Sequence, residues 1–201
     1  MMAAVAGVRA AGGPAIDRPE PDELALRAVG GDRDAFAALY AETSEPVERL
    51  CRRLLGSDEE AKDARSEVFL RAREALVGYD PRRPFRSWLL AIAAHHCVDR
   101  LRRRALEGRL FDPADLAEDD LPSEAATPLG SALARERREL LLAALDALPP
   151  RYRAPLVLRY FAELPYNAIA DVLGVRSRDV GVLLFRAKLR LREALSGGGF
   201  A

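Results

Sequence analysis

Apolar residues recur along this 201-residue chain at intervals of three and four positions, the spacing that places side chains on one face of an α-helix. No run shows the β-branched alternation that is typical of a strand. The pattern therefore predicts an all-α fold. The apolar stripes of the first half are Leu24, Ala28, Phe36, Leu39 and Tyr40; Val47, Leu50, Leu54 and Leu55; Ala64, Val68, Phe69, Ala72 and Leu76; and a helix from Phe85 to about Arg104.

Turn-forming residues separate these stripes. Gly30-Gly31-Asp32 interrupts the first stripe, and Gly56 and Gly78 end the second and third. Ser57 and Glu60 have the spacing of a capping box, in which each side chain satisfies a backbone N–H of the other residue at the start of a helix. A turn with two prolines, Tyr79–Pro84, precedes the fourth helix.

The second half begins with a segment that has no apolar period, is acidic and contains three prolines. Helices are then predicted from Ser131 to Leu148, over Tyr152–Phe161 and Tyr166–Leu173, and from about Arg178 to Leu195, with Gly174 at a left-handed helix exit. We predict two small helical domains, 22–107 and 135–196, joined by a flexible acidic linker, 108–134. Short tails, 1–21 (disordered) and 197–201, flank them.

The net charge of zero argues at first against a nucleic-acid partner, but it is a cancellation between segments. Residues 22–107 carry 16 basic and 16 acidic side chains, 108–134 carry one against six, and 135–201 carry 12 against seven. The C-terminal domain is therefore basic and the linker acidic. A basic domain of this kind suits phosphate.

The sequence contains little evidence for a catalytic site or a metal site. The two histidines, His95 and His96, are adjacent and point to different sides of one helix, so they cannot converge on one metal ion. No nucleophile triad, phosphate loop or nucleotide fingerprint is present.

Cys51 and Cys97 lack disulfide-type spacing, and no signal peptide or membrane-spanning run occurs. We expect a cytoplasmic protein that is not an enzyme and has no cofactor.

Two blocks could bind nucleic acid. Tyr166–Leu173, a turn at Gly174 and a helix from about Arg178 have helix-turn-helix spacing, although any helical hairpin joined by glycine gives the same spacing. The shared core of the two helices would consist of Ile169, Leu173, Val180, Leu184 and Ala187. Arginines also interleave with Phe85 and Trp88, as in proteins that stack aromatic rings on single-stranded bases. The alternative is that both rings are core anchors beside a solvated arginine face, and for Trp88 we favour the core.

Taken together, these blocks resemble the sigma-70 family of bacterial transcription factors. Asp63–Phe69, Arg83–Leu89 and Asp99–Arg103 look like its region two, and Leu148–Arg153, Leu158–Phe161 and Ile169–Val175 look like its region four. A chain with these two regions alone is similar to the extracytoplasmic-function (ECF) branch. The resemblance spans about Asp22 to Leu195 and implies a transcription initiation factor.

The resemblance also implies partners and site residues. The partners are core RNA polymerase, through its β and β′ subunits, promoter DNA at the −10 and −35 elements, and an anti-sigma factor. The residues that match the polymerase-binding segment are Asp63, Ser66, Glu67, Phe69 and Arg71. Those that match the −10 segment are Arg83, Phe85, Arg86, Trp88, His95, Asp99, Arg100 and Arg103. Those placed near −35 DNA are Arg176, Ser177, Arg178, Arg186 and Lys188.

The second helix of the predicted helix-turn-helix departs from the family pattern. Asp179, Gly181, Val182 and Leu183 stand where the family tends to place Thr, Lys, Ser and Arg side chains, and Asp179 would oppose phosphate. Pro165 replaces the usual cap of the preceding helix. Three interpretations follow: phosphate contacts with readout of duplex shape, an apolar patch for a protein partner, or loss of DNA reading. The second would suit a sigma-like polymerase-binding adaptor.

Overall fold

The fold is all-α, as the sequence predicts. The computed structural model describes residues 20–105 and 131–197, with side chains from 138 to 196 in the second range, and these residues contain no strand. The predicted tail up to residue 19, the linker from 108 to 130 and residues 198–201 lie outside them. The helices are α1 Pro21–Val29, α2 Arg33–Leu55, α3 Asp58–Ala75, a 3₁₀ turn Leu76–Gly78, α4 Phe85–Arg104, α5 Ser131–Ala147, α6 Pro150–Tyr160, α7 Tyr166–Leu173 and α8 Ser177–Gly197.

Helix α3 begins with half of the predicted capping box. The Ser57 hydroxyl accepts a hydrogen bond from the Glu60 N–H at 3.4 Å, which satisfies one of the free donors of the first turn. The Glu60 carboxylate instead pairs with Arg104 at the end of α4. The glutamate therefore ties two helices together instead of closing the box.

Helix α2 is one continuous helix across Pro46, although the sequence pattern divides it into two stripes. Proline removes a backbone hydrogen bond and costs an isolated helix about 3 kcal/mol. Both stripes nevertheless bury their apolar side chains in the same core, since Leu39, Val47 and Leu54 are each 0% exposed. Burial on both sides of Pro46 therefore offsets the loss.

The N-terminal bundle packs α1, α3 and α4 around α2. The Asp22 carboxylate in α1 accepts a hydrogen bond from the Phe85 N–H at 2.6 Å and thereby caps α4 from another helix. Cys51 and Cys97, which are distant in sequence, meet in this core as buried free thiols. A hydrogen bond with Cys51 and burial raise the pKa of Cys97 well above its usual range, so both cysteines act as packing residues.

The C-terminal bundle has the predicted helix-turn-helix. Gly174 adopts φ 59°, the left-handed conformation that ends α7, and Pro165 starts α7 without a side-chain cap, as expected. The residues predicted to form the core between the two helices are all buried: Ile169, Leu173, Val180, Leu184 and Ala187. The sequence therefore identified the inner face of this motif correctly.

The two bundles pack against one another through three arginines. Arg153 of α6 is 7% exposed and donates to the backbone carbonyls of Leu54 at 3.1 Å and Asp146 at 2.8 Å. Arg53 of α2 pairs with the Asp146 carboxylate at 2.6 Å. Arg102, near the end of α4, donates to the carbonyl of Val172 in α7 at 3.2 Å. Arg153 and Arg53 are buried in these contacts, whereas the side chains of Arg102 and Asp146 remain 30% and 37% exposed.

His96 is a buried ionisable group in the first bundle. It is 5% exposed, and neither of its ring nitrogens has a hydrogen-bond partner. Burial lowers the pKa of His96, and the positive charges of Arg71, Arg100 and Arg103 lower it further against the opposing charge of Glu67. The folded protein therefore holds this imidazole neutral.

Replacing His96 with methionine is expected to flatten the pH dependence of stability. Because the pKa of His96 is lower in the folded state, the unfolded chain binds the proton first, and the unfolding free energy falls as pH drops from 7.5 through about 6.5, the ordinary histidine pKa. His96→Met removes this loss and two unpaired polar atoms. Urea unfolding at pH 7.5 and 5.5 measures the difference.

The neighbouring histidine provides the matched control. His95 is exposed, so His95→Met should keep the pH dependence of the parent chain. An equal loss of stability on acidification in the parent and in His96→Met would contradict the role given to His96.

Candidate partner and nucleic-acid interfaces

The outward face of α3 carries most of the residues predicted to bind polymerase. Asp63, Ser66 and Arg71 are exposed and Glu67 is half-buried, while the opposite face packs into the core. Arg71 Nε donates to Glu67 Oε1 at 3.3 Å, and the Ser66 hydroxyl donates to the carbonyl of Lys62 at 3.2 Å. The serine therefore turns back on its own helix, whereas the charged side chains extend outward.

The exposed apolar residue of this segment is Leu70, whereas the sequence prediction named Phe69. Phe69 is 4% exposed and lies against Tyr40, with 4.5 Å between ring centroids, so its ring anchors α3 to α2. Leu70 is 55% exposed on the outward side, and sequence reasoning missed it. Its position outside the buried stripe, beside Ser66 and Glu67, was the signal that could have identified it.

The turn before α4 is rigidly held. The Tyr79 hydroxyl donates to the carbonyl of Arg83 at 2.7 Å, and Arg82 Nη2 pairs with Asp80 Oδ2 at 2.8 Å. This hydrogen bond with Arg82 lowers the pKa of Asp80, while burial and the nearby charge of Asp22 raise the pKa of Tyr79. The turn therefore presents Arg83 outward on a fixed frame.

The aromatic residues of this block form a cluster. The ring of Phe85 lies 5.7 Å from that of Tyr79 and 5.5 Å from that of Trp88, centroid to centroid. Phe85 is 1% exposed, so it supports the turn from within and its ring is not available to a base. Trp88 is half-buried and packs on the core while keeping part of its ring at the surface, and Arg86 beside it is exposed.

One face of α4 gathers the remaining −10 candidates. Trp88, His95, Asp99 and Arg103 follow one another at intervals of seven and four residues, which keeps them on the side opposite the buried stripe. His95 and Arg103 are exposed and Asp99 is half-buried, accepting from Arg102 Nη1 at 3.2 Å. Arg100 lies beside this face and is half-buried close to His96.

The start of α8 differs from the sequence expectation at Asp179. Asp179 is 8% exposed and accepts from Arg176 Nε at 2.7 Å, with Arg178 Nε 3.7 Å away. Its carboxylate is thus turned inward and neutralised, as favoured at a helix N-terminus. The expectation that Asp179 would oppose phosphate is therefore wrong. The positive charge of Arg176 is in turn largely balanced by this carboxylate.

The other −35 candidates remain on the surface of α8. Ser177 and Arg178 are exposed at its first turn, Arg186 is half-buried, and Lys188 is exposed with its ammonium 5.6 Å from the centroid of Tyr160. Cations of this kind on the surface of a helix can donate to phosphate oxygens.

The described residues contain neither a candidate metal site nor a candidate membrane span. Over 20–105 and 131–197, no group of three or more His, Cys, Asp or Glu side chains could hold a metal ion. In the same ranges, no helix combines the length and apolar character needed to cross a bilayer.

Comparisons with known proteins agree with this description. The family model for sigma-70 region 2 matches residues 39–107, and that for sigma-70 region 4 matches 138–191. The ECF RNA polymerase sigma factor SigW of Bacillus subtilis is 30% identical over 176 residues, covering 82% of this chain and 91% of that protein. SigE of Mycolicibacterium smegmatis, another ECF sigma factor, is 32% identical over 180 residues, covering 88% and 69%.

Solved structures share the fold. CnrH, in complex with the cytosolic domain of CnrY, gives a TM-score of 0.58 at 23% identity and covers 89% of this chain and 99% of that one. The sigma factor RpoE of Bartonella quintana, in complex with the anti-sigma factor NepR, gives 0.54 at 17% identity, covering 82% and 98%. The chain belongs to the ECF sigma factors of the sigma-70 family and is a transcription initiation factor. These relatives do not favour the adaptor alternative.

Proposed function

We propose that this sigma factor uses three helical surfaces for three partners: α3 for core RNA polymerase, the turn 79–84 with α4 for the −10 strand, and α8 for the −35 duplex. The observation that carries the proposal is that most of the charged and polar candidates lie exposed or half-buried on the surfaces of these helices and this turn, while other sides of the same helices form the core. Phe69 and Phe85 support these surfaces from inside. The factor works by binding, without catalysis or a cofactor.

The polymerase contact is made through the β and β′ subunits, and the factor acts where the polymerase acts, in the cytoplasm. An anti-sigma factor is a further partner, as the complex of RpoE with NepR illustrates for a protein of this fold. The exposed aromatic and aliphatic side chains Leu70, Tyr160 and Phe161 offer apolar surface of the kind that protein partners cover.

Reconstitution tests the proposal. Purified chain mixed with core polymerase should form a stable complex and give run-off transcripts from specific fragments of a genomic library. Core polymerase alone is the control. Absence of association at low salt, where charged contacts are strongest, would contradict the proposal.

His95→Ala is expected to reduce promoter opening by about tenfold, the loss that follows when one base loses a ring to stack on. His95 is exposed on the outward face of α4, so its removal leaves the bundle core intact. Open complexes are measured by permanganate reactivity of unpaired thymines.

Two controls separate this effect from others. His96→Met changes the buried neighbour and should leave opening unchanged at pH 7.5. A template already unpaired at the −10 element should restore transcription by His95→Ala if the defect lies in opening. Equal opening by His95→Ala and the parent would remove His95 from the −10 surface.

A further inference from the structure

The outward face of α8 is apolar at its centre. An α-helix turns by about 100° per residue, so with Val180, Leu184 and Ala187 facing the core, Val182 and Phe185 point away from it. Both are half-buried and lie outside the hydrophobic core, whereas Leu183 packs against it. Leu183 is therefore turned toward the core, whereas Val182 and Phe185 keep part of their apolar surface on the outward side of α8.

Cations lie before and after this apolar centre along the helix. The one acidic residue of the first turn, Asp179, is held inward by Arg176. Arg178 lies before Val182 and Lys188 after Phe185, both exposed, and they are separated by about 15 Å along the helix axis. Cations at both ends can meet phosphates while the middle of the helix faces base edges.

Gly181 adds an independent observation. A side chain built at Gly181 would meet only the Tyr166 ring, at 4.0 Å, and its backbone has no positive φ, so nothing inside the protein requires a glycine there. Glycine weakens a helix relative to alanine. A glycine without an internal reason suits close approach of the helix backbone to something outside, which would bring the short side chain of Val182 within reach.

Among the groups that the major groove presents, the apolar one is the 5-methyl of thymine. Donors and acceptors on the other base edges would find no partner in valine or phenylalanine. We propose that α8 reads the −35 element through thymine 5-methyl groups, with Val182 as the principal contact and Phe185 as the second. This inference rests on the proposed binding of −35 DNA by α8, and it makes Val182 a specificity-determining residue.

The test replaces thymine by uracil, which removes the methyl group and leaves base pairing unchanged. Holoenzyme first selects bound duplexes from a library that is randomised upstream of a pre-opened start region. The selected duplex is then made with thymine or with uracil at each selected position. For the parent holoenzyme, uracil should weaken binding by about fourfold for each methyl group contacted, the value expected for one buried apolar carbon.

Val182→Ala should weaken binding to the thymine duplex and bring the thymine-to-uracil affinity ratio at its position close to one. The substitution is at a surface position of a helix and introduces a good helix former, so the fold is retained. Val77→Ala, which shortens a valine that is 87% exposed outside α8, is the matched control and should keep the parent's ratio.

The possible results test the readout of thymine methyl groups separately from the binding of −35 DNA by α8. If a duplex is selected but thymine and uracil bind equally, methyl readout is overturned and the assignment of α8 to −35 DNA stands. A ratio that persists in Val182→Ala would also overturn the role of Val182. If the transcribing holoenzyme selects no upstream sequence, the assignment of α8 to the −35 element fails as well.

Discussion

Replacing Leu70 with glutamate is expected to weaken association with core RNA polymerase by about 30-fold or more, equivalent to about 2 kcal/mol. Leu70 is 55% exposed in the middle of the outward face of α3, between the carboxylates and arginines proposed to dock on the polymerase. A charge introduced into the covered centre of an interface loses its hydration without gaining a partner. Titration of fluorescently labelled chain with core polymerase measures the change.

A second leucine provides a close match for the control. Leu26 on α1 is 54% exposed and lies outside the proposed docking face, so Leu26→Glu makes the same chemical change at the same exposure. We expect it to keep the parent affinity. Equal affinities for Leu70→Glu and the parent would remove Leu70 from the docking surface, and an equal loss in both variants would indicate a general effect of added negative charge.

Replacing Arg153 with methionine is expected to shift the chain from the packed arrangement of its two bundles toward separated ones. The substitution removes the donor to the Leu54 carbonyl, which is the hydrogen bond of Arg153 that joins the two bundles, and a buried group that stays unpaired costs about 1–3 kcal/mol. A loss of about 2 kcal/mol changes the ratio of packed to separated molecules by about 30-fold. Small-angle scattering measures the resulting increase in radius of gyration.

Two further variants make this result specific. Arg190→Met removes the same charge from an exposed position of α8, where the arginine pairs with Glu193 at 2.9 Å, and should leave the scattering profile unchanged. Arg53→Met acts from α2 and should open the chain by removing the shorter of two arginine contacts to the Asp146 carboxylate, at 2.6 Å against 3.9 Å for Arg52. A parent-like radius for both Arg153→Met and Arg53→Met would contradict the role given to these contacts.

Salt should have a smaller effect on the packed arrangement than these substitutions. Arg153 donates to neutral carbonyls, and the side chain of Arg53 is 9% exposed, so neither contact is fully open to screening ions. Attraction between oppositely charged domain surfaces would instead make the radius rise steeply with salt. Scattering at low and high salt therefore distinguishes shielded contacts from surface attraction.

The candidate surfaces were predictable to different degrees. The outward positions of α3 and α4 followed from helical spacing, because a helix with one apolar stripe must expose the opposite side. The burial of Phe85 was not predictable from local pattern, since an aromatic ring beside arginines suits a core anchor and a stacking platform equally well, whereas Phe69 already belonged to the apolar stripe of α3. The structure places both rings inside the bundle, against Tyr79 and Tyr40 respectively.

The direction in which a charged side chain turns was likewise not predictable from the local sequence. The sign of Asp179 and its place at the start of α8 were known from the sequence, yet whether it opposes phosphate depends on where its side chain turns. The hydrogen bond from Arg176, three residues earlier, decides that question. The continuity of α2 across Pro46 likewise depends on burial on both sides of the proline, which a local propensity does not include.

The sequence by itself determined the all-α fold, the helix-turn-helix core and the separation of charge along the chain, because these depend on the spacing and type of residues close together in sequence. Only the tertiary structure decided that Cys51 and Cys97 meet, that His96 is buried without a partner and that Arg153 joins the two bundles. These contacts connect residues tens of positions apart. Their energies come from desolvation and hydrogen-bond geometry, which exist only once the helices have packed.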